Sequence, residues 1–283
     1  MPPASPAPGD ELIDPRPIHL GEGSRAVLLL HGLTGTPYDV APFAEALHEK
    51  GFAVRAPQMA GHADLDTLEE TTWRDWYATA ESAFDELAAQ GRRTVMVLGF
   101  SMGSLIALRL AALRTPDVMG LAALSVPLSF TAWKRTAIEA MARARATPGL
   151  GRLVGFLPKD GGPDVRVERA GRESPNLRGF PFPALAELVA LQREVGDLLP
   201  LVRAPLLLLH GRHDHTASVQ MAARVAQRVA SSQVRKVVLP RSFHILAHDL
   251  DRDRACSEIV NFALNVLGSP DPADGPPDTH STS

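Results

Sequence analysis

Along the chain, short apolar runs bounded by turn residues alternate with longer segments whose apolar positions recur every three or four residues. The first kind predicts strands and the second amphipathic helices, because side chains repeat every two residues on a strand and every 3.6 on a helix. Strands are expected at Ala26 to Leu30, Phe52 to Ala56, Thr94 to Phe100, Leu121 to Val126, Pro205 to Leu209 and Lys236 to Leu239. Most are apolar at successive positions, as strands buried on both faces are, which points to an α/β protein with a mostly parallel central sheet and helices on both faces. The clearest helix carries Trp73, Trp76, Tyr77, Ala80, Phe84 and Leu87 on one stripe, with Arg74, Glu81, Asp85 and Glu86 around the other side. That stripe is read as core and not as a stacking platform. Further helices are expected near Val40 to Glu49, Met102 to Leu113, Val219 to Val229 and Arg252 to Leu267.

The alternation breaks between Pro127 and Pro200. This stretch shows no clear strand, only helical segments around Trp133 to Arg145 and Ala184 to Leu199, separated by Gly161, Gly162 and several prolines. It begins directly after a strand end, which places it over the carboxyl edge of the sheet, where ligands of α/β proteins bind. It is read as a cap. Met1 to Pro17 and Ser269 to Ser283 are rich in Pro, Gly or Ser with little to bury, and are expected as poorly ordered tails around one domain over 18–268.

Composition narrows the function. With 45% hydrophobic and 22% charged residues among 283, one sizeable core is feasible. The net charge of -3 is small and the basic residues are scattered among acidic ones, which argues against nucleic acid as a partner. No apolar run approaches the roughly 20 residues a bilayer requires, and the N-terminus lacks the basic start and apolar run of a secretory leader. The expectation is a cytoplasmic monomer or homodimer without stable membrane insertion. Cys256, the sole cysteine, is read as a small half-buried hydrophobe, since nothing beside it would stabilise a thiolate.

The strongest motif is Gly99-Phe100-Ser101-Met102-Gly103, a G-x-S-x-G that follows an apolar strand and opens a helical pattern. The pattern by itself arises by chance in about one such chain in ten; its strand-turn-helix setting is what makes it specific. It resembles the nucleophile elbow of the α/β-hydrolase fold, in which flanking glycines let strand and helix approach while the serine is pushed outward.

A serine hydroxyl needs a base, and the base needs a group that fixes its tautomer. In that fold the order along the chain is Ser, acid, His. Asp214, in His210-Gly211-Arg212-His213-Asp214 after the strand Pro205 to Leu209, fits the acid, and His244, in Ser242-Phe243-His244 after the strand Lys236 to Leu239, fits the base. His248 is the rival. The oxyanion donors expected are the backbone N–H groups of Met102 and of Leu33, the latter in Leu30-His31-Gly32-Leu33-Thr34-Gly35. His31, His62 and His210 are read as structural hydrogen-bonding residues. A metal site built from His210, His213, Asp214 and His215, or from His244 and His248, lacks the glutamate of H-E-x-x-H and a closing ligand. No metal and no other cofactor is therefore expected.

Taken together, Leu28-Leu29-Leu30-His31-Gly32-Leu33-Thr34-Gly35, Gly61-His62, the Trp73 and Trp76 helix, the Ser101 elbow, His210-Gly211 with Asp214, and Ser242-Phe243-His244 followed by Asp249 resemble the bacterial carboxylesterase and monoacylglycerol-lipase-like branch of the α/β-hydrolases. The resemblance covers nearly everything between the tails. It implies a small helical cap forming an acyl pocket, an acyl-enzyme on Ser101, oxyanion donors at Leu33 and Met102, and a small-molecule substrate: a short- to medium-chain acyl ester or a monoglyceride. Two features depart from that branch: Ala217 stands where it usually has a β-branched residue, and the cap is long and arginine-rich. A thioesterase or acyltransferase would use the same residues. A non-catalytic binding protein on this scaffold commonly lacks a triad member or an elbow glycine, and here every such position is filled. Activity is expected to rise as His244 loses its proton, with an apparent pKa near ~6–7.

Overall fold

The computed structural model describes residues 16–269 except 92–93, 150, 152–153 and 160–161. The tails expected over 1–17 and 269–283 thus lie outside the described residues, save Arg16, Pro17 and Ser269. The strands are β1 (Ile18–Leu20), β2 (Arg25–Leu30), β3 (Ala53–Ala56), β4 (Thr94–Phe100), β5 (Val118–Leu124), β6 (Phe156–Pro158), β7 (Gly179–Pro181), β8 (Leu206–Gly211) and β9 (Val234–Leu239). The helices are α1 (Ala41–His48), α2 (Leu65–Glu70), α3 (Trp73–Ala89), α4 (Met102–Leu113), α5 (Ala132–Ala146), α6 (Glu168–Glu173), α7 (Phe182–Leu198), α8 (Gln220–Arg228) and α9 (Arg252–Leu267).

Among the described residues the main sheet has the order β1-β3-β2-β4-β5-β8-β9. It is parallel except for β1, which pairs antiparallel with β3 at the edge. Because successive side chains leave a strand on opposite faces, each apolar run feeds two cores. Leu28, Leu30, Val97 and Leu208 face Trp76 and Phe84 of α3 and Leu105 of α4. Val27, Leu29, Leu98 and Leu209 face Phe43 and Leu47 of α1 and Ile259 of α9. The stripe from Trp73 to Leu87 is buried along its length, with Trp76 inaccessible and its indole N–H donating to the Thr71 hydroxyl at 3.0 Å. Register brings Leu30 opposite Gly99, Phe100 opposite Leu124 and Gly211 opposite Leu239. The carboxyl ends of β2, β4, β5, β8 and β9 therefore share one edge.

Over that edge lies the segment from β5 to β8, which holds α5, β6, α6, β7 and α7. Here the structure departs from expectation: β6 and β7 form a two-stranded antiparallel ladder where no strand is predicted. Each is three residues long and contains a proline, so there is no alternation to read. The edge strand β1 and the short helix α2 are unpredicted for the same reason of length. α7 buries Leu188, Leu191 and Val195 against the core, whereas α5 has no buried residue and packs beside α7. Polar links tie the segment down: Arg145 makes a two-pronged pair with Glu69 (2.7 and 3.1 Å), Glu187 accepts from the Trp73 amide at the start of α3 (3.1 Å), and the Leu177 amide donates to the Thr34 carbonyl (2.9 Å). Among the described residues no helix is long and apolar enough to cross a membrane.

Two substitutions separate core from lip. Phe84→Ala, at a site 1% exposed, is expected to lose about 3–5 kcal/mol in chemical denaturation. Trp133→Ala, at a site 69% exposed on α5, should stay within ~0.5 kcal/mol of the parent.

Candidate active site

Ser101 sits between β4 and α4 with φ 52° and ψ -120°, a conformation that costs a non-glycine residue about 1–3 kcal/mol. The tightness of the turn forces it. A Cβ on Gly99 would stand 2.1 Å from the Gly103 carbonyl oxygen, and one on Gly103 2.1 Å from that of Leu30. Strand, helix and the end of β2 therefore meet backbone to backbone, and the Ser101 side chain is the one that projects into the cavity above.

His244 follows β9 and meets this serine: its Nε2 lies 2.9 Å from Ser101 Oγ, and its Nδ1 lies 2.8 Å from Asp214 Oδ2. Asp214, beyond the end of β8, is held in turn by the amides of Thr216 (2.9 Å) and Ala217 (2.7 Å) and by His210 Nε2 at 3.1 Å. Because Ala217 contributes through its amide, and through a carbonyl that meets His210 Nε2 at 2.9 Å, the small side chain there leaves this support in place. Burial opposes charge on Asp214, but the facing His244 charge and these hydrogen bonds outweigh it and hold the carboxyl far below the usual range. For His244, burial opposes the proton while Asp214, then Asp164 and Asp39, favour it, and the net pKa lies above the ordinary 6.5.

The other candidates fall elsewhere. His248 stacks on Tyr38 with ring centroids 4.0 Å apart and donates to its carbonyl at 2.8 Å, away from Ser101. His31 accepts from the Met59 amide (3.0 Å) and donates to the Gly32 carbonyl (2.9 Å), which braces the loop after β2. Burial and the neighbouring His62 push its pKa down to about 3, so it carries no charge. Gly32 of this loop runs past the serine, since a Cβ on it would lie 3.2 Å from Ser101 Cβ. Leu33 lines the cavity, and the Met102 amide opens α4, where a helix leaves donors without an intrahelical acceptor. Burial raises the Cys256 thiol to about 11, so it carries no thiolate near neutral pH. A further cluster, Asp164, Asp214 and His244, has oxygen and nitrogen atoms within 4.8 Å of one another. Both ring nitrogens of His244 are engaged by Asp214 and Ser101, which leaves none for an ion while this arrangement stands.

The cavity over Ser101 has a volume of about 820 Å³ and a mixed lining. Phe130, Ile138, Met141, Phe182, Leu185 and Leu188 make it largely apolar. Asp39, Lys159, Asp164 and Asn176 add polar groups, none of which is singled out by the sequence. Asp39 Oδ1 accepts from Asn176 Nδ2 at 2.7 Å, while the buried Asn176 Oδ1 has no partner. Burial raises Asp39 to about 6 and lowers Lys159 to about 8. These residues come from separate loops and from the segment over the sheet, and no periodicity or motif marks them.

The model of the family described as "Serine aminopeptidase, S33" matches residues 21–251. The chain belongs to this family. It is similar to the thermostable monoacylglycerol lipase of Bacillus sp. (strain H-257), at 30% identity over 257 residues covering 89% of this chain and 95% of that protein. It is also similar to a carboxylesterase of Bacillus subtilis (strain 168), at 23% identity over 89% of this chain and 97% of that one. Among solved structures, a metagenome-derived lipolytic enzyme superposes with a TM-score of 0.80 at 22% identity, covering 88% of this chain and 97% of its own. The Paleococcus ferrophilus monoacylglycerol lipase does so with 0.73 at 20%, covering 88% and 98%. The fold is the α/β-hydrolase fold, as the parallel sheet and these likenesses show.

The elbow yields a direct check. Gly103→Ala must displace backbone, because its Cβ would overlap the Leu30 carbonyl; it is expected to lower the melting temperature by several degrees, on the order of 2–4 °C per kcal/mol lost in a chain of this size. Ester cleavage should be lost in the protein that remains folded.

Proposed function

We propose that this chain hydrolyses carboxylic esters through an acyl-enzyme on Ser101, with His244 as general base and Asp214 as the carboxylate that orients it. The observation that carries the reading is the unbroken hydrogen-bonded chain from Ser101 Oγ through both His244 nitrogens to Asp214, at 2.9 and 2.8 Å, with Ser101 and His244 both lining a large, mostly apolar cavity. In this reading Ser101 attacks the ester carbonyl as its proton passes to His244 Nε2. The charge on the carbonyl oxygen then develops toward the amides of Leu33 and Met102. His244 returns the proton to the departing alcohol, and water repeats the sequence on the acyl-enzyme. Asp214 stays ionised throughout, which its depressed pKa favours.

The mixed lining of the cavity suits such an ester. An acyl chain of short to medium length packs on its apolar residues, and an alcohol bearing hydroxyl groups, as in a monoglyceride, meets its polar ones, among which Asn176 Oδ1 and Lys159 offer hydrogen-bond partners. The segment 127–200 acts as the cap that supplies these apolar residues together with Lys159, Asp164 and Asn176, while Asp39 comes from the stretch ahead of α1.

Ser101→Ala is expected to lower turnover of a p-nitrophenyl ester on the order of 10⁶-fold and Asp214→Asn about 10⁴-fold, and full activity in Ser101→Ala would end the proposal. Because His244 must be neutral to act and its pKa is raised, the acid limb of kcat/KM should lie above pH 6.5, with the rate falling as pH drops through it. A chain-length series of p-nitrophenyl esters and monoglycerides, run beside aminoacyl anilides, tests the substrate class. Cleavage of short- and medium-chain esters with the anilides untouched is the expected result.

A further inference from the structure

The loop between β6 and α6 reaches down onto the ends of β8 and β9, and Asp164 touches both. Its carboxylate accepts from the loop that carries Asp214: from the His215 amide (2.9 Å) and imidazole Nδ1 (2.8 Å), and from the Thr216 amide (3.1 Å) and hydroxyl (2.9 Å). Its main-chain carbonyl accepts the amides of His244 and Ile245, each at 3.1 Å. Two residues on, the Arg166 amide donates to Asp249 Oδ2 (3.2 Å), the same oxygen that receives the Phe243 amide (2.7 Å). From the sheet side, Ser125 Oγ donates to the His244 carbonyl at 2.8 Å. The His244 backbone is thus gripped from below by the sheet and from above by the cap.

We propose that Asp164 is a positioning residue for the reaction: it sets the spacing between the His244 and Asp214 loops and stands beside the imidazolium formed when Ser101 gives up its proton. This rests on the ester-hydrolase reading above. Its mechanical part follows from the six hydrogen bonds Asp164 accepts from the two loops. Losing them lets the base and its acid drift relative to Ser101, and a misplacement of ~1 Å costs a reaction on the order of 10²-fold. Its electrostatic part follows from proximity, since an Asp164 oxygen, Asp214 and a His244 ring nitrogen lie within 4.8 Å of one another. The charged groups around the imidazole come from three elements: Asp214 after β8, Asp164 from the cap, and Asp39 ahead of α1. Lys159 faces Asp39, His215 pairs with Asp164, and the Arg166 guanidinium lies over the Phe243 ring at 5.3 Å. Removing the negative charge at 164 therefore makes the protonated ring less favourable and shifts its titration to lower pH.

The test uses the full chain. Asp164→Asn keeps the side chain's size and an accepting oxygen while removing the charge. Expected are a kcat about 10- to 100-fold lower with KM little changed, an acid limb of kcat/KM moved to lower pH, and slower labelling of Ser101 by a fluorophosphonate. Asp164→Glu, which restores the charge, should bring the limb back. Wild-type kcat with an unmoved limb in Asp164→Asn overturns the proposal, and so does a loss confined to KM, the mark of a substrate contact. Should Asp164→Asn fail to fold, the double variant His215→Ala with Thr216→Val takes its place, because it removes side-chain partners and leaves the charge. There a kcat reduced roughly tenfold at unchanged KM supports the assignment, and wild-type kcat refutes it. A wild-type protein that the fluorophosphonate does not label at Ser101 defeats the parent reading, a result distinct from any outcome of the Asp164 variants.

Discussion

At the end of β4 the chain turns from strand to helix with Gly99 and Gly103 in backbone contact, and everything about the site is arranged around that contact. A Cβ at either position would lie 2.1 Å from a carbonyl oxygen. The turn is therefore closed by glycines on both sides and strained in the middle, where Ser101 takes a φ of 52°. The core above and below the sheet over-determines this conformation: α4 is buried along nearly its whole length against β4, β5, α3 and α7. Strain at one residue persists because large apolar surfaces on both faces hold its neighbours.

Once the serine is placed, the remaining geometry is a matter of loops that leave the same sheet edge. β8 ends in the loop of Asp214 and β9 in the loop of His244, and their register brings the two ends level. Burial would make each group neutral if it stood alone. Facing each other at 2.8 Å, they take opposite charges readily, the carboxyl depressed and the imidazole raised. His31 and His62 show the contrasting case. They are equally buried, lack a carboxylate partner, and lie near 3 and 4, respectively. The same side chain thus stays neutral as a brace in one loop and has its protonated form favoured in another, according to its partner.

The segment over the sheet does more than roof the cavity. Through Leu177 it meets the loop of Leu33, through Glu187 the start of α3, and through Asp164 the loops of both Asp214 and His244. Shape and assembly of the site are coupled in consequence: a change that loosens this segment alters the lining and the alignment of Ser101, His244 and Asp214 together. The cavity's polar lining has the same origin. Asp39 comes from the stretch ahead of α1, and Lys159 and Asn176 come from the segment between β5 and β8, so that lining is assembled only when the two meet.

Much of this was legible in the order of residues. Six apolar runs mark six strands of the main sheet, most of them apolar at successive positions because both their faces are buried, whereas β9 at the edge exposes Arg235 and Lys236. The stripe of Trp73 to Leu87 marks α3, and the elbow motif with the chain order Ser, Asp, His picks out the three side chains that the fold brings within hydrogen-bond distance. What could not be read are elements too short to carry a period, β1, α2, β6 and β7, and residues whose role lies wholly in distant neighbours. Asp164 sits 50 residues before Asp214 and 80 before His244. Ser125 and Asp39 lie still farther along the chain from the histidine they influence, 119 and 205 residues before it. Local sequence determines periodicity and turn chemistry because those depend on adjacent side chains. Which remote carboxylate meets which loop depends on how the segment between β5 and β8 packs onto the sheet, and only the tertiary structure decides that.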